Sequence, residues 1–129
     1  MDKEWNSPEM LDTRQKAFNK TTKQFDYFRL EGILEFLEKF ASFMKAGVLD
    51  MNLIYHSNVG WYAVRYYFFN VENIRTLREQ WKDELLYMDL KDLYEKYLAL
   101  EVGHSAKKRE AYEKELGKTK DDFIKLDHA

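Results

Sequence analysis

The chain has 129 residues, 45% of them apolar and 34% charged, with a net charge of −2 and no cysteine. That length fits one domain with a core of its own, and the missing thiols exclude disulfide scaffolds, thiolate metal sites and cysteine nucleophiles, in keeping with a reducing cytoplasm. The mild, interspersed charge gives no long-range field for nucleic acid, and no stretch has the apolar length of a membrane span or the pattern of a secretion signal.

Five Gly and one Pro leave few helix breakers. Apolar residues recur at three-four spacing, which predicts an all-α fold: a compact single-domain bundle of about five to six helices around a central aromatic-rich helix. Ser7, Pro8 and Glu9 form a helix start, since Ser7 can cap free amides, Pro8 has the backbone angle of a first turn and Glu9 suits the positive end of the dipole. That helix is expected to run to Phe18 and to break across Asn19 to Thr22, a stretch of poor helix formers.

A second helix is predicted from Phe25 to Met44, with Leu30, Ile33, Leu34, Leu37, Ala41 and Met44 on one stripe. Phe25, Phe28, Gly32, Phe36, Phe40 and Phe43 make a second row, in which a mid-helix glycine suggests close approach by another helix. Gly47 supplies a left-handed stop. Asp50 caps a short helix from Met51 to His56, which Ser57, Asn58, Val59 and Gly60 end in a tight corner.

The aromatic run from Trp61 to Phe69 opens a helix expected to continue to Glu84. Its main stripe is Val64, Tyr67, Phe68, Val71, Ile74, Leu77 and Trp81, and its second row is Tyr62, Tyr66 and Phe69. A helix apolar on two faces has to be covered on both. Asp89 is read as the cap of a further helix carrying Leu90, Leu93, Tyr94, Tyr97, Leu98 and Val102, interrupted at Gly103, His104 and Ser105. From Ala106 to Leu126 the apolar residues thin to Tyr112, Leu116, Phe123, Ile124 and Leu126 among many charges, so residues 106–129 are expected to be a peripheral C-terminal helix within the single domain 1–129.

Little in this pattern carries chemistry. Glu101 and His104 have the Glu-x-x-His spacing of di-iron bundles, but those need a second copy, which is missing, so no metal is expected. Glu31, Glu35 and Glu38 share a helix side and read as a solvated stripe. Lys107, Lys108 and Arg109 precede Glu110, Glu113 and Glu115 and read as a solvated helix face. The segment from Met51 to Arg78 imitates helix-turn-helix, yet its second helix is aromatic where base-reading residues belong. Arg65, Arg75 and Arg78 need partners if buried, with Glu72 and Glu79 at hand.

The stretch from Trp5 to Arg14, the segment from Leu34 to Asp50 ending Lys45-Ala46-Gly47-Val48-Leu49-Asp50, and Trp61 followed by Asn73-Ile74-Arg75-Thr76-Leu77-Arg78 resemble the bacterial family known as domain of unknown function 4760. The resemblance covers about residues 5 to 100. It implies a compact helical domain, joined in many relatives to N-terminal membrane helices that this chain lacks. It carries over no activity and no catalytic residue.

The functional expectation is therefore a small cytoplasmic protein that binds a protein partner or itself, with no cofactor, no nucleic acid and no membrane. Its 9 Phe, 9 Tyr and 3 Trp suggest an aromatic contact surface. The candidate interaction residues are Trp61, Tyr62, Arg65, Tyr66 and Phe69. Two other readings stand beside it: a phage- or plasmid-encoded inhibitor acting by protein binding, and a helical ligand binder or enzyme that uses Arg65 with Glu35, or Glu101 with His104, in an inter-helix pocket.

Overall fold

The computed structural model describes residues 7–9 and 27–128, and no strand occurs among them. Seven helices follow one another in these residues: α1 (Tyr27–Lys45), α2 (Met51–Tyr55), α3 (Asn58–Phe69), α4 (Val71–Trp81), α5 (Met88–Val102), α6 (Ala106–Lys118) and α7 (Lys120–His128). Pro8 and Glu9 are helical; the rest of the expected first helix, its break at Asn19 to Thr22, Phe25 and the Phe28 side chain lie outside the described residues.

The stripe read on α1 is the core side of that helix, with Leu30, Ile33, Leu34, Leu37 and Ala41 all at 0% exposure. It packs chiefly on α5, which also meets α2, α3 and α6, while α3 lies against α1, α2 and α5. The result is a compact helical bundle with one continuous core. Gly32 departs from expectation. It is exposed, and a methyl group added there would meet nothing within 4 Å, so no helix among the described residues approaches it. Gly47, with φ of 80°, ends α1 as expected: its N–H reaches the Met44 carbonyl while Val48 N–H reaches that of Phe43, a Schellman closure.

The corner after α2 lies earlier than the sequence indicates. Asp50 caps α2 through Asn52 N–H. Ser57 then caps α3, its hydroxyl accepting from Gly60 N–H at 3.0 Å. Asn58, Val59 and Gly60 are thus a first turn rather than a loop. Gly60 is required by the corner, because a Cβ there would collide with the Ile54 carbonyl.

The long aromatic helix is two helices. Asn70, 3% exposed, turns its side-chain amide onto the Tyr66 carbonyl at 2.9 Å, and its own N–H goes to Tyr67 instead. A side chain that takes over a backbone acceptor breaks the ladder at that residue. In the helix that follows, Ile74 and Leu77 stay buried, while Val71 and Trp81, its first and last residues, are 40% and 59% exposed.

Asp89 is not the cap of α5. Tyr87 holds that position in the left-handed region, φ 62°, and its side chain makes no cap hydrogen bond. Glu38 of α1 does the capping from across the interface, accepting from Leu90 N–H at 2.6 Å and Asp89 N–H at 3.4 Å. These are the amides that a capping side chain normally serves. Asp89 instead faces back, accepting from Ser42 Oγ at 2.7 Å and Lys45 Nζ at 3.1 Å.

Candidate functional site

The aromatic second row of α3 is built around one ring from the far end of the chain. Phe123 on α7, 2% exposed, has its centroid 5.4 Å from Trp61, 5.7 Å from Tyr62, 5.6 Å from Tyr66 and 5.6 Å from Phe69. Tyr66 is wholly inside the core at 0% exposure, and Trp61, Tyr62 and Phe69 are half-buried against it. The segment read as peripheral therefore supplies two core side chains, Leu116 and Phe123. The turn at Thr119, whose hydroxyl donates to the Leu116 carbonyl at 2.6 Å, swings α7 back over α3.

Arg65 stands at the rim of this row. Its guanidinium carbon lies 3.8 Å from the centre of the Trp61 ring, and Nη1 donates to the Trp61 carbonyl at 3.1 Å. Tyr97 of α5 and Tyr112 of α6 lie beside it, and burial lowers its pKa while these phenols partly offset that effect. Tyr55 of α2 stacks on Tyr97 with centroids 4.9 Å apart and faces Glu101. Of the pairs expected for the three arginines, Glu72 does hold Arg75, at 2.9 Å, whereas Arg65 turns to Trp61 and Arg78 gives its Nε–H to the Leu86 carbonyl at 2.8 Å.

Comparison with known families, curated proteins and solved structures finds no match to this chain.

The remaining candidates are distributed differently from their spacing. The α5 helix stops at Gly103, φ 68°, so Glu101 and His104 do not share a helix face. His104 lines an open cleft of about 440 Å³ with Lys96 and Arg109. Among the described residues no group of three or more His, Asp or Glu side chains is placed to hold a metal ion, and no helix among them is long and apolar enough to cross a membrane. Arg109 is not part of a solvated face. It binds both Glu95 oxygens and donates to Glu113 at 3.2 Å, while Glu113 accepts from the Tyr94 hydroxyl at 2.6 Å. This network fastens α6 to α5 and holds the Glu95 carboxyl below its usual range, chiefly through the Arg109 hydrogen bonds.

Glu31, Glu35 and Glu38 do not act together either. Glu38 caps α5, and Glu31 accepts from the Trp81 indole N–H at 3.2 Å. Trp81 itself opens a surface that the sequence reading placed in the core. It is followed by an exposed loop in which Leu85 is 72% exposed. Lys82 closes α4 with φ 53°, a position usually held by glycine, and the buried Tyr87 ends the loop with a second positive φ. Arg78 ties Leu86 back to α4, and Asp83 accepts from Leu85 N–H at 3.0 Å. The loop is held in place while presenting Leu85 to solvent, with Leu86 half-buried against the core.

Proposed function

We propose that this chain is a small cytoplasmic protein-binding module that performs no chemistry of its own and meets its partner, another protein or a second copy, through Trp81 and Leu85. The observation that carries this reading is the exposure of those two side chains, 59% and 72%, on a loop fixed at both ends by left-handed non-glycine residues. Strain of that kind is retained where a surface has a job, and exposed tryptophan is a frequent anchor of interfaces. Arg75, Arg78, Glu79, Lys82 and Glu84 line an open cleft of about 500 Å³ beside it, a polar rim of the sort that surrounds an apolar anchor. The interaction residues first expected on α3 support this reading less well, since Tyr66 is enclosed, Trp61, Tyr62 and Phe69 pack on Phe123, and Arg65 lies over Trp61. The resemblance to domain of unknown function 4760 adds an expected helical fold and no activity.

The test is the double variant Trp81→Ala with Leu85→Ala, compared with wild type by light scattering and by affinity capture with mass spectrometry. The variant is expected to keep its helical spectrum and melting temperature and to lose the partner or the self-association. Unchanged mass and unchanged captured proteins sink the proposal, and so does unfolding of the variant, which makes Trp81 a structural residue.

A further inference from the structure

The stops after α1, α4 and α5 are built into the backbone: Gly47, Lys82 and Gly103 each hold a positive φ, which does not continue a right-handed helix. The stop between α6 and α7 is of another kind. It consists of Thr119 alone, at φ −93° and ψ 2°, and α7 resumes at Lys120. The Thr119 N–H shifts to the Leu116 carbonyl at 3.0 Å, which its hydroxyl also uses at 2.6 Å, while its own carbonyl accepts from Phe123 N–H at 2.8 Å as in an uninterrupted helix. Thr119 is itself exposed. Apart from Gly117, its neighbours from Glu115 to Lys120 are good helix formers. Moving the Thr119 N–H back one carbonyl joins α6 and α7 into a single helix from Ala106 to His128, about 34 Å long.

Local preference thus favours a straight helix, and what bends it is a tertiary contact. Of the described α7 side chains, Phe123 is buried and Ile124 half-buried against the core, while Asp121, Asp122 and Lys125 face solvent. The Phe123 ring sits among Trp61, Tyr62, Tyr66 and Phe69, with centroids 5.4 to 5.7 Å away. When the bend opens, one chain carries both an uncovered aromatic seat on α3 and, on the extended helix, the ring that fits it. The same ring from a second copy matches that seat in shape and chemistry, and reciprocal exchange fills both seats and closes at two chains. We propose that α7 exchanges between two copies of this chain: the bend at Thr119 opens into a continuous helix, and Phe123 of each copy enters the aromatic row of α3 in the other. The contacts made are those of the closed chain, so the balance rests on the two hinges and on concentration. A tethered α7 competes with an effective concentration on the order of 1 mM. The exchange uses neither Trp81 nor Leu85 and is independent of the contact surface proposed above.

Thr119→Ala and Thr119→Gly test it, since both remove the hydroxyl and only alanine favours the continuous helix. The two residues differ about fivefold in equilibrium at a helix interior position, and two hinges straighten per dimer, so the dimer dissociation constant is expected to be about twentyfold lower for Thr119→Ala than for Thr119→Gly. Each full-length variant is refolded at about 1 mM, where Thr119→Ala is expected to dimerise, and its mass is followed by light scattering through a dilution series. Dimers assembled from equal amounts of isotope-labelled and unlabelled chains are expected to show, by isotope-filtered NMR, contacts between the Phe123 ring of one chain and the Tyr66 ring of the other. A dimer formed through Trp81 and Leu85 has no such interchain contact and does not respond to residue 119, so the two proposals fail separately. A Thr119→Ala chain that stays monomeric at about 1 mM overturns the exchange, as do equal association of the Ala and Gly variants and a dimer whose Phe123–Tyr66 contacts all remain within one chain.

Discussion

Glu38 allows a quantitative test of how one helix is started by another. Its carboxylate lies 2.6 Å from Leu90 N–H and 3.4 Å from Asp89 N–H, at a helix start whose own cap residue, Tyr87, contributes no side-chain bond. Glu38→Ala removes the acceptor and leaves a helix N-terminus without it, which costs about 1 to 2 kcal/mol by the usual worth of a cap. For a domain of this size that is a fall of roughly 3 to 10 °C in melting temperature. Glu38→Gln retains a carbonyl oxygen for the same amides but no charge to desolvate. Burial, the largest influence on Glu38, raises its pKa above the ordinary 4.5 and outweighs the lowering by the Leu90 hydrogen bond; Asp89 and Asp92 nearby raise it further. A raised carboxyl binds its proton more tightly in the folded state than in the unfolded one. Its contribution to stability is therefore complete below the ordinary glutamate value and is lost as pH rises through the raised one. At pH 7 Glu38→Gln is expected to be as stable as wild type or slightly more so, and on acidification below the ordinary value wild type should gain on the variant. Thermal denaturation by circular dichroism across pH 3.5 to 8, on wild type and both variants, measures this. The reasoning is refuted if Glu38→Gln is as destabilised as Glu38→Ala at pH 7, or if Glu38→Ala melts with wild type.

Phe123→Ala should cost about 3 to 5 kcal/mol, the usual result of deleting a buried aromatic ring, measured by urea denaturation; a loss under about 1 kcal/mol would mean that α7 does not cover α3 in solution. Gly60→Ala should lower the melting temperature sharply, because the new Cβ collides with the Ile54 carbonyl of a tight corner, whereas Gly32→Ala should raise stability by about 0.5 to 1 kcal/mol, since that exposed helical site is open; equal effects at the two glycines would contradict the placement of both. Acidification should also weaken the α1–α5 contact through Asp89, whose pKa is lowered by the Ser42 and Lys45 hydrogen bonds: a depressed carboxyl stabilises above its ordinary value and loses that contribution as pH falls through the depressed one, so Asp89→Asn should flatten the acid side of the wild-type stability profile, and an unchanged acid limb would remove Asp89 from the account.

Helical periodicity is a property of consecutive residues, so the sequence by itself determined the all-helical class, the buried stripe of α1 from Leu30 to Met44, the apolar stripe of α5 from Leu90 to Leu98, and the local stops at Gly47 and Gly103. Each depends on contacts a few positions away along the chain. What the tertiary structure decided involves partners far apart in sequence. Leu90 N–H finds its cap in Glu38, and the second face of α3 is closed by Phe123 from a segment whose charge density marked it as peripheral. Asn70 breaks the aromatic helix because its amide can take the Tyr66 carbonyl in a buried setting, and Trp81, in phase with Ile74 and Leu77, is left exposed at the end of α4, beyond the cover of the other helices. Arg65, Tyr97 and Tyr112 lie on three helices, and no spacing within any one of them indicates that they meet. Apolar pattern specifies which side of a helix is buried; which other side chain covers it, and which polar groups are left facing one another at the rim, is set by how the helices pack.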